Sequence, residues 1–337
     1  MRHAEEGLEE IAVGSAPSSQ PAGQDGDSGR PLPRPAASGP ERVLRPEQVL
    51  PGGVRYAGEW LGDHLDGEGT QTFPDGGRYE GRFCRSLAEG HGSYVSSKGD
   101  IYEGQWVAGM AHGSGKFAGR AGPTYLGEWL HDKQHGHGHE SWPDGDCYEG
   151  EFKEGEKSGS GRFVWDNGSM YEGQFSENSM HGEGVYLWSD GRKYRGQWSN
   201  RSCHGRGVFT YTDGCSYAGE YEHGQKSGEG TFTWADGREY SGCWRKGQLH
   251  GLGTYTMANG ERKRGEWQEG RWVRWLQGAE ERLPAMPEPR GLPGGLQAPE
   301  EPAHAAAARE LGSLGRGMLS PQRSACDSPQ ALPDVSL

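Results

Sequence analysis

Histidine is the side chain in this sequence best suited to hold a metal ion, and three stand in alternation at His135, His137 and His139. On a strand such residues share one face and stand ~7 Å apart. Zinc takes each imidazole nitrogen at ~2.0–2.1 Å, so three in a row cannot ligate one ion. Two of them joined by His112 from across a sheet is the one arrangement left, and an exposed polar face explains them more simply. His112, His135, His181, His204 and His250 each precede the first glycine of a Gly-x-Gly pair, which makes them parts of a recurring motif. No metal site is expected. The Gly-x-Gly pairs invite a nucleotide reading, yet none continues as the dinucleotide fingerprint and no phosphate-binding loop ending in Gly-Lys-Ser/Thr occurs. Paired carboxylates such as Glu149 and Glu151 read as outward strand positions in water. No Ser, Cys or Thr stands out as a nucleophile. We therefore expect no enzymatic activity and no cofactor.

These residues belong to a text that repeats. A Tyr opens each unit at 56, 79, 102, 125, 148, 171, 194, 217 and 240, a period of 23 with no insertion. In one unit Tyr171-Glu172-Gly173-Gln174-Phe175 is followed by Gly182-Glu183-Gly184, Tyr186, Trp188 and Asp190-Gly191. A tenth unit opens at Lys263 and keeps Gly265 and Trp267. A fixed period of this length marks a repeat architecture.

Alternation along a strand puts Tyr, Gly and Trp or Phe on one face and the charged residues on the other. A glycine gives an aromatic ring on the neighbouring strand a place to lie flat. Gly150, Gly173, Gly196, Gly219 and Gly242 are the glycines expected to form this floor. Gly, Asp or Asn at mid-unit, and Asp-Gly or Asn-Gly between units, suit tight turns between antiparallel strands. Each unit reads as one β-hairpin. The rings of Trp129, Trp142, Trp165, Trp188, Trp198, Trp234 and Trp244 form a candidate face for a partner helix or extended peptide. In the first four units Ser96 and Gly119 fill one aromatic slot and Gln71 and Glu140 the other, so the later units should pack more rings.

The motif Tyr-x-Gly-x-Trp/Phe followed by a Gly-x-Gly pair and an aromatic resembles the MORN repeat, over residues 54 to about 275. The resemblance implies an all-β fold: an elongated, slightly curved single-layer antiparallel sheet of about ten 23-residue hairpins. Long MORN-dominated chains resemble radial-spoke head and other cytoskeletal proteins. The resemblance thus implies a non-catalytic scaffold or adaptor that binds proteins, in the cytoplasm at the cytoskeleton or ciliary axoneme. A membrane-apposed lipid-binding or tethering module, and a regulatory subunit of a separate enzyme, remain the alternatives.

Residues 1–53 and 276–337 are rich in Pro, Gly, Ala and Ser and are expected to be disordered, with a short helix feasible at 300–311. Ser320-Pro321 and Ser328-Pro329 have the form of phosphorylation sites. The net charge is −13, and residues 55–275 carry 25 basic and 32 acidic side chains, or −7. Such a surface disfavours nucleic acid and anionic lipid. Six cysteines in different phases of the repeat, with no Cys-x-x-Cys, read as free thiols in a reducing compartment. No apolar run approaches the ~18 residues that span a membrane.

Overall fold

The computed structural model describes residues 41–276. The expected tails at 1–40 and 277–337, the helix at 300–311, Ser320, Ser328 and Cys326 lie outside the described residues. Twenty-one strands, β1 to β21, build one sheet, and each pairs antiparallel with the strand next to it in sequence. Among the described residues there is no α-helix, only a short 3-10 turn at Pro51–Gly53.

One unit shows how the sequence makes the hairpin. A seven-residue strand, Met170–Ser176, turns into a nine-residue strand, Ser179–Leu187. Glu177 and Asn178 both take positive φ, 49° and 63°. That pair of values is the type I′ turn whose twist matches the flanking strands. The return to the next unit uses Asp190-Gly191: Gly191 takes φ 90°, and the Asp190 carboxylate accepts the Arg192 amide at 3.0 Å.

Between these turns the two strands come unusually close. Gly173 faces Gly184, and a Cβ built on Gly173 would stand 2.5 Å from the Gly184 Cα. One built on Gly184 would stand 2.6 Å from Cε2 and Cζ of Tyr171. The Tyr171 ring thus roofs the cross-strand glycine pair, and its hydroxyl donates to the Gln174 carbonyl at 2.9 Å. The same hydroxyl-to-carbonyl bond recurs from Tyr56 to Tyr240, for example at Tyr79, Tyr148 and Tyr217. The floor is therefore made by both glycines of the pair. The expected five, Gly150, Gly173, Gly196, Gly219 and Gly242, meet backbone first and the ring second.

Next to the pair the register slips. Gln174 faces His181, leaving Gly182 and Glu183 as an insertion, with Gly182 at φ +59°. This is a β-bulge whose turning residue must be glycine. The Gln174 side chain plugs it, accepting the freed Glu183 amide at 2.9 Å. Glu59, Gln105, Glu128, Glu151 and Gln197 do the same in their units. Glu151 is thus a structural acceptor for Ser160, and only Glu149 of that pair points idly into water.

The rings form two ladders. Each opening Tyr meets edge-on the Trp or Phe (Tyr221 in one unit) four residues on and its counterpart in the next unit: Tyr171 lies 5.1 Å from Phe175 and 5.5 Å from Trp198. This ladder runs unbroken from Trp60 to Trp267. The second runs continuously only in the later units, from Trp142 through Tyr186 and Trp188 to Tyr255; earlier it is reduced to the pair Phe73 and Tyr94, 6.1 Å apart.

Two differences appear at the ends. β1 (Val43–Val49) pairs with β2 (Arg55–Leu61), so the sheet starts eleven residues before the expected boundary at 54. Its Arg45 guanidinium lies 4.7 Å from the centre of the Trp60 ring and supplies the cover that a preceding Tyr would give. At the other end β20 (Arg262–Gln268) lacks the opening Tyr, and Trp275 of β21 (Arg271–Trp275) packs 5.9 Å from Trp267 and covers Gly265 instead.

Gly196→Val should lower stability by at least the ~1–3 kcal/mol of overpacking, despite valine's better strand propensity. Glu172→Val, on the exposed face, should change it little. Thermal melting of the two variants beside the parent checks this, and a Gly196→Val array that melts at or above the parent temperature contradicts it.

Candidate functional site

The seven tryptophans expected to face a partner do not form an open platform. Trp129, Trp142, Trp165, Trp198, Trp234 and Trp244 are buried, and Trp188 alone keeps partial exposure. The reason is the ladder. Trp198 is held between Tyr171 and Tyr194, and Trp244 between Tyr217 and Tyr240. Three indole nitrogens are also occupied: Trp129, Trp198 and Trp244 donate to the carbonyls of Gly115, Gly184 and Gly230 at 3.0–3.3 Å. A partner can reach ring edges on the second ladder but not these faces.

The exposed surface is the opposite face, where cross-strand register builds continuous rows. In one row Thr70 faces Glu80, Ser93 faces Glu103 and Arg162 faces Glu172, followed by Val185, Arg195 and Val208. Lys116 and Leu126 interrupt its acids, the last of which is Glu172, and Ala218, Thr231, Ser241, Thr254 and Arg264 complete it. His137 and His139 are exposed on this face, and His112 lies 5.6 Å from His131, centre to centre. Among the described residues no group of three His, Cys, Asp or Glu has the geometry to hold a metal ion. None of the five described cysteines forms a disulfide.

Two lysines in the core escaped the sequence reading. Both occupy the inward position that is Leu65, Ala111 or Met180 in other units. Lys157 donates to Glu140 at 2.9 Å, with both side chains buried and the ammonium 4.7 Å from the centre of the Trp142 ring. Glu140 stands where later units carry an aromatic, so the interruption seen in the sequence is a buried ion pair. Lys226 has the same place without the carboxylate. It is 1% exposed, its ammonium makes no hydrogen bond, and it is enclosed by Tyr211, Tyr217, Phe232 and Trp244 at 4.6–5.6 Å from ring centres. Burial pulls its ammonium down to about 7. The rings attract the cation, but not enough to replace lost water.

Nine consecutive matches to the family model described as "MORN repeat" cover residues 56–78, 79–101, 102–122, 125–147, 148–170, 171–191, 194–216, 217–237 and 240–262. The chain belongs to the MORN-repeat family. A search of curated proteins finds no match. Among solved structures the MORN array is similar to the TCP domain of Drosophila melanogaster SAS-4 in complex with a proline-rich motif of Ana2, at 13% identity and TM-score 0.29, over 58% of this chain and 99% of that one. A point mutant of the TCP10 domain of Danio rerio CPAP matches at 10% identity and TM-score 0.24, over 69% and 99%. Likenesses this weak carry no functional argument.

Lys226 gives the array a pH dependence of definite sign. The unfolded amine keeps its proton to about pH 10.4, the ordinary lysine value, while the folded one gives it up at about 7. Folding is therefore opposed in full below pH ~7, and the opposition fades as pH rises toward ~10. Above that the buried tyrosines act the other way, because burial raises them, Tyr56 to about 12, and the stability they lend is lost as pH passes their ordinary value. Lys226→Met should raise the melting temperature at pH 7 and flatten its rise between pH 7 and 9.5. Lys157→Met should instead cost ~3–5 kcal/mol, because it strands buried Glu140. An unchanged pH slope in Lys226→Met would show that the amine is solvated.

Proposed function

We propose that this MORN array is a non-catalytic scaffold or adaptor that holds protein partners side by side, in the cytoplasm and within a cytoskeletal or ciliary, axonemal assembly. The observation that carries the reading is the division of labour between the two faces. The inner rings are used up in joining units, so they set rigidity. The outer rows are free to vary, and each unit presents a different combination of charge and apolar surface. A repeat sheet of this kind offers several adjacent sites without separate domains. The resemblance of MORN-dominated chains to radial-spoke head proteins supports the cytoskeletal setting.

Proximity labelling in a ciliated and a non-ciliated cell type tests the setting, and recovery of axonemal proteins only in the first is expected. With a recovered partner in hand, Arg195→Glu should weaken capture from a folded array. Trp188→Ala, at the one half-buried ring of the seven, should weaken it less. The opposite order would return the working surface to the ring face.

Because residues 55–275 sum to −7, flotation with phosphatidylserine or phosphoinositide vesicles at ~0.15 M salt should recover little protein. Strong flotation would favour the membrane-apposed alternative.

A further inference from the structure

The two ends of the sheet are finished differently. At β1 the edge is blunted. Pro46 removes an amide in mid-strand, a bulge separates Arg45 from Gln48, and Arg45 folds back onto the Trp60 ring and the Gly62 carbonyl, 2.8 Å away. Proline, bulges and charges turned across an edge are the devices by which sheets refuse a further strand. β21 has a bulge of its own at Val273, between Trp272 and Arg274, but no proline and no charge folded across the edge. The strand pairs with β20 along one side, and among the described residues nothing pairs with the other. Trp272 and Val273 are each 47% exposed there, and Leu276 follows at 37%.

The charge of this end is also reversed. Residues 262–276 hold Arg262, Lys263, Arg264, Arg271 and Arg274 against Glu266 and Glu269, a net +3, in a chain whose total is −13. Glu266 is already engaged by Arg274 at 2.7 Å. Arg271 makes no such pair. A basic open edge repels another edge of its own kind and draws an acidic strand. Main-chain hydrogen bonds along the edge would supply affinity, and the exposed Trp272 and Val273 would pack against apolar side chains of the added strand.

We propose that β21 is a docking strand, onto which an extended acidic peptide segment of a partner protein adds as the next strand of the sheet. The site is separate from the outward rows and stands whether or not they bind.

The test uses the full chain and two labelled synthetic decapeptides, one alternating valine with glutamate and one alternating valine with lysine. Fluorescence anisotropy gives the affinities at ~0.05 M and ~0.3 M salt, and amide hydrogen exchange maps where each peptide lies. The glutamate peptide should bind, slow exchange at Arg271–Trp275 and leave β1 unchanged, and the lysine peptide should not bind. Arg271→Glu and Val273→Pro should each weaken binding roughly tenfold or more with the melting temperature of the array unchanged. Arg271→Glu keeps the test open should proline unfold the strand. Equal binding of both peptides, or protection at β1 or on the outward rows, overturns the proposal. So does a full chain that binds neither peptide until it is truncated after Leu276, since the occupant is then its own C-terminal segment.

Discussion

Everything in this sheet depends on one close approach. Where Gly173 faces Gly184 and their counterparts recur, the two strands of a hairpin come together with no side chain between them, and a tyrosine lies across the gap. The arrangement excludes every Cβ and therefore fixes glycine at two positions per unit. It also brings the tyrosine hydroxyl to a carbonyl three residues on, which satisfies the one polar atom of an otherwise buried ring. The tyrosine edge then receives a ring from its own unit and one from the next, so the contact that closes a hairpin also joins it to its neighbour. A chain poor in aliphatic residues can in this way hold a long sheet, because ring-to-ring contact replaces a thick core.

The repeat, the hairpin turns and the glycine floor were legible because they depend on residue type at fixed spacing. Tyrosine every 23 residues and Asp-Gly at the unit boundary have few structural readings. What was not legible depends on contacts between units. Glu151 looked like an idle surface carboxylate, since a bulge that consumes its side chain leaves no trace in period-two alternation. The phase of Lys157 and Lys226 gave no warning of burial, because the inward slot is otherwise filled by Leu, Ala, Met, Gln or Cys. Of the seven tryptophans offered as a candidate partner face, six are buried by their neighbours. A single unit does expose such rings, and only stacking of units hides them. β1 was missed because Val43–Val49 carries Pro46 and no repeat motif, and its strand state follows from the edge it covers.

The faces consequently answer to different demands. Inside, substitutions are judged by ring contact and by whether a charge has a partner: Lys157 with Glu140 is compensated, Lys226 among four rings is not. Outside, apart from the Glu and Gln side chains that plug the bulges, side chains are free of packing and their rows carry the differences among units. A scaffold reading follows from this separation, since binding surface can change there without cost to the ladder.

The roofing of paired glycines by tyrosine is tested most directly by a double-mutant cycle between Gly207 and Tyr194, measured by denaturant unfolding of the full chain. A Cβ on Gly207 would overlap the Tyr194 ring, at Cζ and Cε2 distances of 2.5 and 2.6 Å. Gly207→Ala should therefore destabilise the parent, yet cost far less in a Tyr194→Ala background, a coupling of ~0.5–3 kcal/mol. Additive effects of the two substitutions would mean that the ring does not lie on the glycine pair, and the account of the sheet would fail with it.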